Sequence, residues 1–371
     1  MRTLPAALAA ALAALSPVAV HPADPAGDSG AVRTVEFLSD VYTVDRKYRS
    51  MLGPQSMQTI YLLDKAAAEE LLWVTGFSAV MVEADGKTPT SQEFMCHSNL
   101  DMNMRLHKRL LGLTRDAPDR VFTLSQGQQD VSFPPGFGMP VLSSEPFRLT
   151  TQVLNLNLEG QTLQVRHKVT VSFVRDRDVT TPMRPLMQVI ANGLVLIDGK
   201  DPYFDVAQPD PNTHGTGCLT GLSAVTADHL VADEQGRRFS GHWVVPPGRQ
   251  VNHTNVTRYM DLPFDTTVHY IAVHLHPFAE SLELRDLTAG TSVYKSIARG
   301  IEGKIGLSNV DYFSSVEGVR LYRDHEYELI SVYDNTSTEQ QDSMAVMYMY
   351  ALDTEFRNPL SAAASPAPAG Q

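Results

Sequence analysis

Leu163-Gln164-Val165-Arg166-His167-Lys168-Val169-Thr170-Val171-Ser172-Phe173-Val174 is the stretch that decides the fold class. Val165, His167, Val169, Val171 and Phe173 fall on one side, the period of two of a β-strand. Upstream, residues 150–158 (TTQVLNLNL) repeat the alternation, and 71–82 (LLWVTGFSAVMV) form a longer strand-like run. Downstream come HWVV at 242–245, VHYIAVHLH at 268–276, SLELRDL at 281–287, YELISVY at 327–333 and MAVMYMYAL at 344–352. Helical signal is confined to 63–72 (LDKAAAEELL). The pattern predicts an all-β chain of two antiparallel jelly-roll or β-sandwich domains in tandem.

A chain of 371 residues exceeds what one hydrophobic core usually serves. Residues 1–22 read as an export signal: Met1-Arg2, then an Ala/Leu-rich apolar run and small residues suited to cleavage. Residues 33–180 are the expected first domain and 181–220, rich in Pro, Gly and Asp, the connection. Residues 221–357 are the expected second domain and 358–371 a disordered Ala/Pro tail. The expected mature protein is exported, periplasmic or secreted, with no membrane span. A net charge of −12 argues against nucleic acid as a partner, since phosphate binding needs a basic patch. The two cysteines, Cys96 and Cys218, suit a disulfide in an exported protein, with metal-binding thiolates or free thiols as alternatives.

The chemistry lies in Val273-His274-Leu275-His276. On a strand the two imidazoles project from one face, a bidentate metal claw. In 344–350 Met344, Val346, Tyr348 and Tyr350 share a face. A buried histidine or methionine is by itself more often core than ligand. Two imidazoles with a thioether, however, form a mixed borderline and soft set that suits copper better than zinc.

From Trp243 to Leu352 the chain resembles the copper type II, ascorbate-dependent monooxygenases. The matching residues are Val245-Pro246-Pro247-Gly248, Val273-His274-Leu275-His276 and Asp342-Ser343-Met344 followed by Val346-Met347-Tyr348-Met349-Tyr350. The resemblance implies two jelly-roll domains and a catalytic copper on His274, His276 and Met344, where dioxygen binds, with Tyr348 lining the pocket. Ala272 stands where the peptide-amidating members carry an Arg that clamps a substrate carboxylate, and Val346 where they carry Asn. The substrate is therefore expected to be a small molecule or peptide not anchored by its carboxylate.

The family's first domain holds a second, electron-transferring copper on three histidines across a solvent gap. Its adjacent pair aligns with Cys96-His97, and Asn155 takes the place of the third. The site is either lost, or rebuilt from Met95, Cys96 and His97 with His214 and Cys218, Met102, Met104 and His107 being further donors, or completed by His167. His242, His253 and His269 are candidates to buttress a ligand.

Two functions are consistent with these residues. One is an exported copper-dependent monooxygenase that uses dioxygen and a reductant such as ascorbate to hydroxylate an activated C–H bond. The alternative is a non-catalytic exported copper-binding or carrier protein on the same scaffold.

Overall fold

The computed structural model describes residues 31–64, 68–115, 118–197 and 230–362. The predicted export signal, His214, Cys218 and most of the predicted tail lie outside them. The described chain is all-β, with helix limited to a few short segments. The stretch 163–174 is strand Leu163–Arg175, paired antiparallel with Arg33–Leu38 on one side and Leu71–Glu83 on the other. The helix expected at 63–72 does not form in its described part. Leu71 and Leu72 instead open strand Leu71–Glu83, where both are buried, so core packing overrides a weak local propensity.

One long sheet runs through both halves. Its order is Arg33–Leu38, Leu163–Arg175, Leu71–Glu83, Phe137–Leu142, Arg184–Asn192, Ala345–Leu352, Thr266–Leu275 and Phe313–Leu321. The halves meet where Arg184–Asn192 pairs parallel with Phe137–Leu142 over two residues and antiparallel with Ala345–Leu352 over seven. Residues 184–192 fall within the expected connection, yet they are a central strand of this sheet. Their run Leu186, Met187, Val189, Ile190, Ala191 is apolar on both faces, as a strand covered on both sides requires.

A four-stranded sheet, Gln55–Ile60, Phe147–Val153, Met95–Met102 and Arg120–Leu124, covers the first half. A five-stranded sheet, Gly248–Asn255, Tyr327–Asn335, Ala279–Asp286, Thr291–Gly300 and Leu307–Val310, covers the second. Two cores result, and strands Thr266–Leu275 and Ala345–Leu352 serve both. Ile271, Val273, Leu275, Ala345, Met347 and Met349 pack into the second-half core. Tyr270, Ala272, Val346, Tyr348 and Tyr350 point the other way, into the first-half core.

A β-bulge at His269 sets this phase. The register shifts between Val268 and Tyr270, so Val268 joins the second-half core while Tyr270 and every second residue after it turn to the first half. His269 itself is held by Thr267 and by the carbonyl of Ser315, and stacks on Phe137.

Candidate metal centre

The register of Thr266–Leu275 against Ala345–Leu352 assembles the site. His274 lies opposite Val346 and Leu275 opposite Ala345. One step further in the same register puts Met344 opposite His276. Tyr348 lies opposite Ala272, diagonal to His274. The Tyr333 hydroxyl donates to the carbonyl of Met344 and accepts the amide of His276 (3.3 Å), tying the two main chains together.

His274, His276, Met344 and Tyr348 line one small cavity of about 20 Å3. Cys96 and His97 of the first half line the same cavity. Adjacent residues of a strand normally face opposite ways. Here a bulge between Met95 and His97 brings both side chains to the cavity. His242, on the approach to strand Trp243–Val245, completes the histidine group, its ring centroid 5.4 Å from that of His276. The rings of His274 and His276 are 5.3 Å apart and nearly perpendicular. The expected second cluster at Cys96-His97 is thus not separated from the first by a gap; both border one space.

Each ring of the claw is held from behind. His274 Nδ1 is 3.1 Å from the Ser125 hydroxyl of the first half. His276 Nδ1 lies 2.9 Å from Asp342 Oδ2, a close pair whose angle is poor for a hydrogen bond. With Nδ1 facing an oxygen, Nε2 is the nitrogen that would coordinate a metal, the usual arrangement of a metal-bound imidazole.

Burial pushes the His274 pKa well below the ordinary histidine value, and the neighbouring His276, His97, His242 and Arg120 push the same way. A neutral imidazole is the metal-binding form. Burial also opposes charge on His276, but Asp342 outweighs it and the net direction is upward. Burial works against the Asp342 carboxylate, yet His276 and Ser50 hold it down at about 2.

The donor set fits copper: two buried imidazoles and a thioether, each imidazole backed by an oxygen. Among the described residues no three His, Cys, Asp or Glu side chains are grouped to hold an ion. Met344, opposite His276 in the register, brings a thioether to the same cavity as the His274–His276 pair.

Other expected residues lie elsewhere. Met95 is in the first-half core. Asn155 forms an isolated β-bridge with Tyr48, its side-chain amide donating to the carbonyls of Arg46 and Leu158. His167 is fully buried with Nδ1 on the Ser98 hydroxyl (2.8 Å). Desolvation, then the nearby His97, depress its pKa to about 3. It is a neutral core histidine, and it does not line the cavity. His253 is an exposed partner of Glu328. Cys96 forms no disulfide among the described residues. Met102, Met104 and His107 border a second cavity.

The sequence alone does not single out Ser50, Met51, Asn99, Arg120, Thr123, Ser125 or Asp342 as contributors. Asp342 precedes Met344 by two residues, and that spacing was a usable signal. Arg120, Thr123 and Ser125 come from the strand Arg120–Leu124 and its turn, and nothing local marks them.

No family model matches the chain, and no curated protein matches it. Among solved structures, one described as the STIV MCP is 9% identical over 87% of this chain and 97% of that one, with a TM-score of 0.29. A structure of infectious bursal disease virus, Gx strain, is 10% identical over 90% of this chain and 74% of that one, with a TM-score of 0.18. Likenesses this slight carry no argument about function.

Proposed function

We propose that the chain is an exported copper-dependent monooxygenase, similar to the ascorbate-dependent type II copper enzymes. Its substrate is a small molecule or peptide not anchored by a carboxylate. The observation that carries the reading is the convergence of His274, His276, Met344 and Tyr348 on one buried cavity. Copper bound by these donors supplies dioxygen activation and one-electron redox chemistry, with a reductant such as ascorbate as the electron source.

The chain's own residues do the rest. Ser125 orients the His274 ring, the Asp342 carboxylate attracts that of His276 electrostatically, and the Tyr333 hydroxyl ties His276 to Met344. Tyr348 is buried beside the claw, its pKa raised by desolvation, so it stays a neutral phenol able to orient a bound group. Ala272 offers no charge. Arg120, the one guanidinium on the cavity among the described residues, is already engaged by Asp101 and by the Thr123 hydroxyl (2.8 Å).

A second reading, a copper carrier, rests on the size of the cavity. About 20 Å3 holds one ion or one water-sized occupant, not an organic substrate, so turnover requires an opening at the junction. Oxygen consumption with copper and ascorbate separates the two. Catalysis predicts uptake beyond that of free copper, together with a hydroxylated product from a panel of small C–H donors. His276→Ala should abolish both with the fold intact. Undiminished turnover in that variant refutes the assignment, and copper binding without uptake by the wild type selects the carrier.

A further inference from the structure

A second cavity, of about 30 Å3, lies beside the first, and Arg120 borders both. Four of its fifteen lining residues are methionines, against 14 in the 371 residues of the chain. They come from four places. Met102 ends strand Met95–Met102, and Met104 opens helix Met104–Leu111. Met139 lies on strand Phe137–Leu142 and Met187 on Arg184–Asn192. Three of the four are buried and Met104 is half-buried.

The fifth donor is an imidazole. His107 follows Met104 by three residues, so both share one face of the helix. The Asn103 side chain caps that helix by accepting the Leu106 amide (3.0 Å). His107 Nδ1 is 2.8 Å from Glu145 Oε2, and Glu145 Oε1 accepts the amide of Leu142 (2.7 Å). The carboxylate is thereby locked in place. It fixes the ring and leaves Nε2 as the nitrogen for a ligand.

Met102 and Met139 pack in the first-half core and Met187 in the second, so the cavity lies where thioethers of both cores meet an imidazole braced by a carboxylate. We infer that this cavity, lined by Met102, Met104, His107, Met139 and Met187, is a binding site for a single Cu(I) ion. Thioethers with one imidazole are soft donors that select Cu(I) over zinc or magnesium. The bordering guanidiniums are both engaged: Arg115 by Asp353, and Arg120 by Asp101, which also holds Arg148. The site is separate from the His274–His276–Met344 centre and stands whether or not that centre is catalytic.

The test is anaerobic titration of the full chain with Cu(I) against a chromogenic Cu(I) chelator, with X-ray absorption on the loaded protein. His274→Ala/His276→Ala should still bind one Cu(I) with sulfur dominating its first shell. Adding Met139→Leu/Met187→Leu, a volume-conserving pair, should weaken that ion at least tenfold. His107→Gln, which keeps a polar partner for Glu145, should remove the nitrogen scatterer and leave the sulfur. The inference is overturned if the His274→Ala/His276→Ala chain binds no Cu(I). It is equally overturned if the methionine and His107 variants leave affinity and scattering unchanged. Loss of copper from the His274–His276 centre alone would count against the proposed function and leave this site standing.

Discussion

Replacing Asp342 by Asn removes a charge and keeps the shape. The carboxylate sits 2.9 Å from His276 Nδ1, with the side chains 20% and 8% exposed. With a pKa of about 2 it is ionised at any practical assay pH. In a metal-bound His276 that carboxylate stabilises the ring's N–H and raises its basicity toward the ion. An outer partner of this kind is worth roughly 10- to 100-fold in metal affinity, about 1.4–2.7 kcal/mol. The partial exposure of Asp342 keeps the expectation inside that range rather than above it. The assay is a competition titration of copper on wild type, Asp342→Asn and a control, Asp334→Asn, which lies on strand Tyr327–Asn335 outside the cavity. Secondary structure is followed by circular dichroism. An Asp342→Asn chain that is folded and binds copper within twofold of wild type would refute the reasoning, because His276 would then not be a ligand held from behind.

Three further outcomes are expected. In metal-free protein the unfolded chain takes up a proton on His167 below about pH 6.5, while the folded chain refuses it down to about 3. That residue should cost about 1.4 kcal/mol of stability per pH unit as pH falls through this window. Urea unfolding at pH 7 and pH 5 should show wild type losing about 2 kcal/mol more than His167→Gln; equal losses would place the proton elsewhere. Tyr350→Phe deletes a hydrogen bond of 2.9 Å to the Val121 carbonyl, which Gln188 also reaches at 2.9 Å, so unfolding should show a loss of about 1 kcal/mol and not the larger cost of an orphaned carbonyl. Gly127 has φ +82° and a Cβ there would lie 2.8 Å from Val310 Cγ2, whereas Gly112, at φ +66°, has open space. Gly127→Ala should therefore be destabilised by about 1–2 kcal/mol of backbone strain plus a clash, and Gly112→Ala by the strain alone. Equal melting points for the two would remove Gly127 from the contact.

The strands were legible because alternation reports burial directly. Residues 163–174 show it, with Val165, Val169, Val171 and Phe173 buried. The claw was legible for the same reason: residues two apart on a strand share a face, so His274 and His276 had to meet. Met344 was reachable through the resemblance, and the antiparallel register then explains its place. What lay outside local pattern was lost. The bulges at His269 and Cys96 reset the phase of two strands, and no alternation rule anticipates an inserted residue. Residues 184–192 were read through their Pro and Asp neighbours, although their own apolar run marks a doubly covered strand. Arg120 and Ser125 reach the site by tertiary packing alone. Met102, Met104 and His107 were noticed as donors, but Met139 and Met187 joined them only through the fold.

The turn Ser125-Gln126-Gly127-Gln128 shows what sharing a site between halves entails. It belongs to the first half, where the Gln126 side chain donates to the Glu93 carbonyl (2.6 Å), and each of its four residues also bonds to the second half. Ser125 holds His274, and the Gln126 side chain accepts the Leu307 amide at 3.1 Å. The Gly127 carbonyl accepts the Val310 amide at 2.9 Å, and the Gln128 side chain accepts the Val273 amide at 2.9 Å. The last of these bonds lands on the residue before His274. The same four residues thus fasten the halves together and orient the claw. On the proposed function, metal affinity and docking of the halves are linked quantities: whatever docking adds to copper affinity, copper adds to docking. Copper should accordingly raise the unfolding temperature of Gly127→Ala by less than it raises that of wild type, since a strained turn transmits less of the linkage. An equal rise in both would show that the claw is oriented by the second half alone.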